Sequence, residues 1–238
     1  MVNAGAIVAG GLVGLSVGSI ISKRVQATLV SGMAVGTMFI GAGGTFSEML
    51  VPGESGSLEV RGALMLVMSL AAGAVVGEIV DIDGKMERFG EWLKRVSHNE
   101  KDNSFLEGFV TASLTFCIGA MAIIGALEDG LKGDPSLLYL KSVMDGIFTI
   151  ALTASFGKGV MFSAIPILLF QGSVTLASSL LRPIMTPEVL DAISLVGGAL
   201  IFCVGWNILW HEKKIRVANL LPALVVAAAW TLARGSLA

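Results

Sequence analysis

Residues 138–181 read LYLKSVMDGIFTIALTASFGKGVMFSAIPILLFQGSVTLASSLL, and the architecture of the whole chain follows from them. The stretch is too long for one membrane crossing, which needs about 20 apolar residues. We interpret it as two transmembrane helices, the fifth and sixth of the chain, which meet at the Gly-Lys-Gly hinge 157–159. An ionisable group such as Asp145 costs about 2.5–3.5 kcal/mol inside a membrane helix and normally faces a protein interior or a wet cavity. The stretch therefore predicts a polytopic membrane protein with a polar interior.

The composition extends this interpretation to the full length. Of 238 residues, 54% are hydrophobic and 14% are charged, whereas a soluble domain carries about 25% charged residues. We expect one all-α integral membrane domain over residues 1–238, with about eight transmembrane helices. The predicted helices cover 3–21, 28–46, 62–80, 105–127, the two arms of 138–181, 192–210 and 217–233.

The polar segment after the third helix predicts an amphipathic helix at about 84–97. Met86, Phe89 and Leu93 recur at three- and four-residue steps among basic residues, with Trp92 at the boundary. Such a helix is typical of the headgroup layer, so we expect an interfacial helix on the cytoplasmic side. A surface for a partner protein is the alternative.

The basic residues predict the orientation. With eight helices, eleven of the sixteen lysines and arginines fall on one side and five on the other. Because basic loops stay in the cytoplasm, we expect a multi-pass protein of the cell (cytoplasmic or inner) membrane with both termini outside. A seven-helix alternative leaves Lys158 within the membrane. The cytoplasmic set is Lys23, Arg24, Lys85, Arg88, Lys94, Arg95, Lys101, Lys158, Lys213, Lys214 and Arg216, and the outer set is Arg61, Lys132, Lys141, Arg182 and Arg234.

Glycines at four-residue spacing predict close contacts between helices. This spacing places small residues on one face, where a neighbouring backbone can approach. The same faces would also suit a homo-oligomer. The first and third helices carry these positions: Gly10, Gly14, Gly18, Gly73 and Gly77.

A short signature recurs in three helices, as MFIG at 38–41, FCIG at 116–119 and FCVG at 202–205. In the eight-helix topology, helices one to three and six to eight cross the membrane in opposite directions. We therefore predict an inverted repeat of these two triplets around helices four and five, the plan by which many transporters build a site near the midplane. The alternative is the general likeness of helices rich in glycine, alanine and leucine.

The candidate pathway residues centre on Asp145. Lys141 lies four residues earlier, so the two side chains share a helix face. The carboxylate could bind a proton or cation, or it could form a structural ion pair with Lys141, and the sequence leaves both open. The other candidates for a polar solute or ion are Ser142, Gln171, Ser173, Asn207 and Glu78, of which Glu78 could instead lie in the headgroups.

Several classes of protein are disfavoured. The net charge of −2 gives no basic surface for nucleic acid, and neither a metal-ligand pattern nor a dinucleotide fingerprint occurs. No serine lies in a nucleophile-elbow context. We expect no cofactor, no metal, no nucleic-acid partner and no enzymatic activity.

The run FVTASLTFCIGAMAIIGALEDGLKGD at 109–134 resembles the YdfK/YqgA-like family of uncharacterised bacterial inner-membrane proteins. The runs GEIVDIDGKMERFGEWL at 77–93, KSVMDG at 141–146 and FSAIPILLFQGS at 162–173 carry the same resemblance. It implies a multi-pass membrane protein without an assigned substrate.

The leading functional hypothesis is a secondary transporter or channel for a small polar solute or ion, with its site between helices five and six. A membrane scaffold with glycine-rich oligomer faces is the first alternative. An intramembrane enzyme acting on lipid is the second.

Overall fold

The chain is almost entirely helical in the computed structural model, as its composition predicts, and the model describes residues 1–53, 57–100, 102–118, 120–210 and 214–235. Gly119, Lys101 and Lys213, which the predictions use, lie outside the described residues. The elements are α1 Val2–Ile20, α2 Lys23–Met49, β1 Leu50–Pro52, β2 Leu58–Val60, α3 Ala63–Val80, α4 Ile82–Val96, α5 Phe105–Cys117, α6 Ala120–Lys132, α7 Ser136–Phe156, α8 Gly159–Phe162, α9 Ala164–Leu176, α10 Ser178–Leu181, α11 Pro187–Leu209, α12 Val217–Leu220 and α13 Pro222–Gly235.

Seven stretches of helix within the described residues are long and apolar enough to cross a membrane, and an eighth crossing results if α5 and α6 form one bent span. The all-α, multi-pass fold class is thereby confirmed. α8 and α9 together make one of the seven stretches, 159–176, and α12 and α13 make another, 217–234.

Close backbone contacts give the relative directions of the helices. Gly10 lies against Gly146 and Gly18 against Ala154, so α1 and α7 are parallel. In the order of the chain, α2 and α3 each cross the membrane between α1 and α7. For α7 to run in the same direction as α1, α5 and α6 together must form a third crossing between them. Gly73 lies against Ala223 and Gly77 against Asn219, so α3 and α13 are antiparallel. We call the side where α1 begins and α13 ends the terminal side, and the opposite side, which carries α4, Lys158 and Lys214, the basic side.

The fourth predicted helix is bent rather than straight. α5 ends at Cys117, Ile118 has an extended backbone (φ −82°, ψ 117°), and the axis turns by 59° before α6 continues. The sixth helix is also interrupted, at Ser163 between α8 and α9, three residues before Pro166. Proline removes a backbone donor and crowds the preceding turn, which accounts for a break at this place.

α2 is longer than the predicted 28–46 at both ends. It begins at Lys23 because the Ser22 hydroxyl accepts a hydrogen bond from the Val25 N–H, an N-cap that stabilises an earlier start. At its other end the helix runs to Met49. A short antiparallel hairpin of β1 and β2 then occupies the region that the sequence predicts as an irregular loop.

The amphipathic helix α4 packs partly against protein. Leu93 is buried against Phe105 and Phe109, with Phe89 packed beside them. Trp92 remains half exposed. The apolar face of α4, which the sequence assigns to lipid, therefore packs against the end of α5 on the basic side. Only the edge of this face remains available to the headgroup layer.

Candidate functional site

Asp145 lies in a buried group of four polar side chains from three helices. Lys141 Nζ lies 2.7 Å from one carboxylate oxygen of Asp145 and 3.0 Å from the other. From α1, Asn3 donates its Nδ2 to Asp145 Oδ2 at 2.8 Å and to Gln171 Oε1 of α9 at 3.3 Å. Each of the four residues is less than one-tenth exposed. We call Asn3, Lys141, Asp145 and Gln171 the Asp145 cluster.

The carboxylate of the cluster lies near the middle of α7. Asp145 is the tenth of the 21 residues of α7, which places it about 13 Å along the helix at 1.5 Å per residue. Lys141 lies one turn nearer the terminal side. A buried charge without a partner is strongly destabilising, so the ion pair together with the Asn3 donor is what allows the carboxylate to stay in this position.

Small residues bring α1 close enough for Asn3 to reach α7. A Cβ on Gly10 would overlap the carbonyl oxygen of Gly146, and one on Gly14 would lie 2.5 Å from the carbonyl oxygen of Ile150. The predicted glycine face of α1 therefore lies directly on α7. Gly73 and Gly77 of α3 lie in the same manner on α13 and α12.

Two polar atoms of the cluster have no hydrogen-bond partner among the described residues. They are Asn3 Oδ1, an acceptor, and Gln171 Nε2, a donor. Buried polar groups are nearly always paired. The cluster therefore has capacity for a guest, or for water, that offers both a donor and an acceptor.

A small cavity of about 140 Å³ reaches the carboxylate from the side of α2, α5 and α11. Its polar lining consists of Asp145, Thr37 and Thr115. Thr37 is almost fully buried and its hydroxyl has no partner among the described residues. Drug-sized ligands occupy about 300–1,000 Å³, so this chamber, which we call the Asp145 chamber, suits only water, an ion or a very small solute.

A larger, charged cleft of about 350 Å³ opens on the basic side between α4, α5 and the end of α11. Asn207 lines it and is held there by the 214–217 segment, because its side chain both donates to the Ile215 carbonyl and accepts from the Ile215 N–H, at 2.7 Å each. Asn207 thus lines this cleft and is not part of the Asp145 cluster. We call this cavity the basic-side cleft.

Two other predicted pathway residues, Ser142 and Ser173, make no hydrogen bond to the cluster among the described residues. Ser142 is buried in α7, but its hydroxyl donates to the Leu138 carbonyl of its own helix. Ser173 is exposed on α9 and bonds the Phe170 carbonyl. Ser173 lies two residues after Gln171, on a different face of α9 that is exposed, so it is not part of the Asp145 cluster.

Glu78 is placed in an exposed ion-pair network at the end of α3. Arg216 binds Glu78 at 2.6 Å, Asp81 at 2.8 Å and Asp83 at 3.4 Å. Burial opposes ionisation of Asp81, but hydrogen bonds from the Gly84 N–H and from Arg216 outweigh it and lower the pKa of that carboxyl. Glu78 therefore lies on the basic-side surface and is not part of the Asp145 cluster.

Asn3 is the member of the cluster that sequence reasoning missed. It stands at the start of the first apolar run, where an asparagine resembles an ordinary helix-start residue. The sequence does contain one signal for the role of Asn3, which is a strongly polar side chain at the start of the first apolar run, just before its glycine face. Its partner, 142 residues away in sequence, becomes evident only when α1 and α7 are packed together.

The fold and the site together define a polytopic helical membrane protein with a buried polar cluster between its helices. The chain belongs to the family described as "Protein of unknown function (DUF554)", which it matches over residues 1–232. It is 29% identical over 238 residues to the uncharacterized protein YqgA of Escherichia coli (strain K12), which covers 97% of this chain and 96% of that protein. It is 33% identical over 163 residues to the uncharacterized membrane protein YdfK of Bacillus subtilis (strain 168), covering 68% of each. The predicted family resemblance is confirmed, and no solved structure matches the chain.

Proposed function

We propose that this protein is a secondary transporter or channel for a small polar solute or ion and that the Asp145 cluster is its binding site. The observation that carries the proposal is a buried carboxylate near the middle of the membrane-length helix α7, next to polar atoms without partners among the described residues and to a small cavity. Intramembrane ionisable groups of this kind commonly mark substrate or ion pathways.

The pairing of the helices supports an inverted repeat in the same proposal. An inverted repeat would exchange the first helix with the sixth, the second with the seventh, the third with the eighth and the fourth with the fifth. This exchange leaves the antiparallel pairs α2–α11 and α3–α13 unchanged, because the two helices of each pair replace each other. The same operation converts the parallel pair α1–α7 into the parallel pair formed by α5–α6 and α8–α9.

The repeated tetrapeptides MFIG and FCVG meet in α2 and α11 in the way that a two-fold axis requires. A Cβ on Gly41 would overlap the backbone of Phe202, and one on Gly205 would lie 2.8 Å from the backbone nitrogen of Met38. The last residue of each tetrapeptide thus lies against the first residue of the other. The two halves of such a repeat would enclose a site near the midplane.

The test is uptake by the purified protein in liposomes, scored over a panel of ions and metabolites with and without a proton gradient. Removing one partner of a buried ion pair costs about 3–5 kcal/mol, whereas neutralising both partners is tolerated far better. The informative variant is therefore the double substitution Lys141→Met with Asp145→Asn. We expect it to remain folded and to lose transport.

The matched control is Lys132→Met with Glu128→Gln. This pair has the same four-residue spacing but is an exposed ion pair at the end of α6. We expect transport at the wild-type rate. Wild-type transport by the Lys141/Asp145 double variant would show that the cluster is only structural. A wild-type protein inactive with every solute in the panel would favour the membrane scaffold.

A further inference from the structure

The basic-side cleft and the Asp145 chamber lie end to end along the same two helices. On α5, Thr111 and Leu114 line the cleft, and Thr115 and Phe116 line the chamber. On α11, Val204 lines the cleft and Ile201 lines the chamber. The two linings are consecutive on α5, at Leu114 and Thr115, and three residues apart on α11, so at most about one helical turn, about 5 Å, separates the two cavities.

The separating layer is apolar and closed. Leu114 and Val204 are each at most 5% exposed and belong to the same buried core as Phe116. The bend between α5 and α6 begins one residue beyond Phe116, at Cys117. Leu114 therefore lies within one helical turn of the end of α5.

The charges of the cleft favour cations. Three carboxylates, those of Asp83, Glu87 and Glu107, line it against the two basic side chains Lys214 and Arg216. Lys214 pairs with Glu107 at 3.1 Å and Arg216 with Asp83 at 3.4 Å. Among the described residues the lining thus carries one more negative than positive charge, and a net negative lining attracts cations rather than anions.

The chemistry at Asp145 points to a single positive charge. Its carboxylate already holds one monovalent cation, the Lys141 ammonium, in a pair that is neutral as a whole. A different monovalent cation in that place would preserve this neutrality, whereas a divalent cation would leave a buried excess charge, which is costly. Oxygen atoms suited to an alkali cation are close by, namely Thr37 Oγ1 and Asn3 Oδ1, both buried and without partners among the described residues.

We propose that a small alkali cation enters from the basic-side cleft, passes the layer formed by Leu114 and Val204, and binds Asp145 in exchange for the Lys141 ammonium. The displaced ammonium has a route, since Lys141 lies one turn nearer the terminal side and long basic side chains extend toward a membrane surface. The inference deepens the proposed function by naming the substrate class. Only the movement of the cation across the membrane depends on the proposed function, because binding of the cation is measured in a separate experiment.

Binding is tested by thermal unfolding of the purified protein in detergent, with NaCl, LiCl or KCl compared with choline chloride at the same ionic strength. For wild type we expect at least one alkali cation to raise the Tm by about 2–4 °C at a concentration well above its Kd. The shift should increase in Lys141→Met, where the competing ammonium is absent. It should vanish in the Lys141→Met, Asp145→Asn double variant and persist in the Lys132→Met, Glu128→Gln control.

Thr37→Val keeps the shape of the side chain and removes only the hydroxyl, so it should weaken cation binding about three- to tenfold. A wild-type Tm that is the same in alkali and choline salts would overturn the proposal even if liposomes transport another solute. A shift that survives in the Lys141/Asp145 double variant would overturn it as well. Cation binding without any transport would instead refute only the transport function.

The route is tested by cysteine labelling with a water-soluble thiol reagent applied from the basic side, after Cys117 and Cys203 are replaced by alanine. Thr111→Cys should react readily and Thr115→Cys should not, although they are one turn apart on α5. Adding Leu114→Ala should make Thr115→Cys reactive. Equal rates at the two positions, or a Thr115→Cys that stays protected beside Leu114→Ala, would refute the route.

Discussion

At the scale of single residues, the site depends on the two side chains that donate to one buried carboxylate. The two donors to Asp145 differ in kind, because Lys141 supplies a charge from the same helix and Asn3 supplies a neutral N–H from another. Helix spacing alone places Lys141 and Asp145 on one face of α7, where the structure pairs them. The Asn3 contact instead makes α1 part of the site.

Asn3→Ala should destabilise the protein by about 1.5–3 kcal/mol, the usual range for a hydrogen bond to a charged group. It should also weaken solute binding, since it removes the link between Asp145 and Gln171. Thermal unfolding and liposome uptake measure the two effects. Val2→Ala is the control, because Val2 lies beside Asn3 on α1 but is half exposed. Equal stability of the two variants would contradict the role given to Asn3.

At the scale of elements, glycines set how closely the helices approach, and their effect depends on which face they occupy. Gly36 and Gly41 are five residues apart on α2. A Cβ on Gly41 would overlap the backbone of Phe202 in α11, whereas a Cβ on Gly36 would meet nothing within 4 Å. The sequence shows both glycines alike, and only the contact with α11 distinguishes them.

Gly41→Ala should therefore force α2 and α11 apart and cost about 1–3 kcal/mol, as overpacking usually does. Gly36→Ala should be neutral or slightly stabilising, because alanine is the better helix former by about 1 kcal/mol. Thermal unfolding of the two variants side by side gives the comparison. Similar losses of stability would mean that α2 and α11 do not meet as the structure has them.

At the scale of the whole molecule, the number of crossings depends on the bent pair α5–α6. If the pair crosses the membrane once, the turn after α6 lies on the terminal side and α4 lies on the basic side. If the pair were a re-entrant loop, both would lie on the same side and seven spans would remain. The parallel contact of α1 with α7 supports the crossing.

Single cysteines at Asp134 and Glu91, both exposed in the structure, decide between these arrangements once Cys117 and Cys203 are replaced. In intact cells we expect an impermeant thiol reagent to label Asp134→Cys, because the basic side should face the cytoplasm. Glu91→Cys should react only after the membrane is permeabilised. Labelling of both positions from outside would contradict eight crossings. The reverse pattern would contradict the predicted orientation.

The sequence by itself determined the class of protein, the approximate spans, the family and the shared helix face of Lys141 and Asp145, because length, hydrophobicity and helix spacing are local properties of the chain. Apolar runs of membrane length leave few alternatives, and residues four apart in a helix must share a face. The glycine faces could likewise be identified, although not the helices that they contact.

Only the tertiary structure decided that Asn3 and Gln171 join Asp145, that Ser173 lies outside the cluster, and that Glu78 pairs with Arg216. These facts depend on the rotation and neighbours of each helix. Side chains such as Gln171 and Ser173 lie two positions apart and look equivalent in an apolar segment, but a helix turns by about 200° over two residues. Packing between helices that are distant in sequence therefore determines which polar groups come together, and in this way it determines the candidate site.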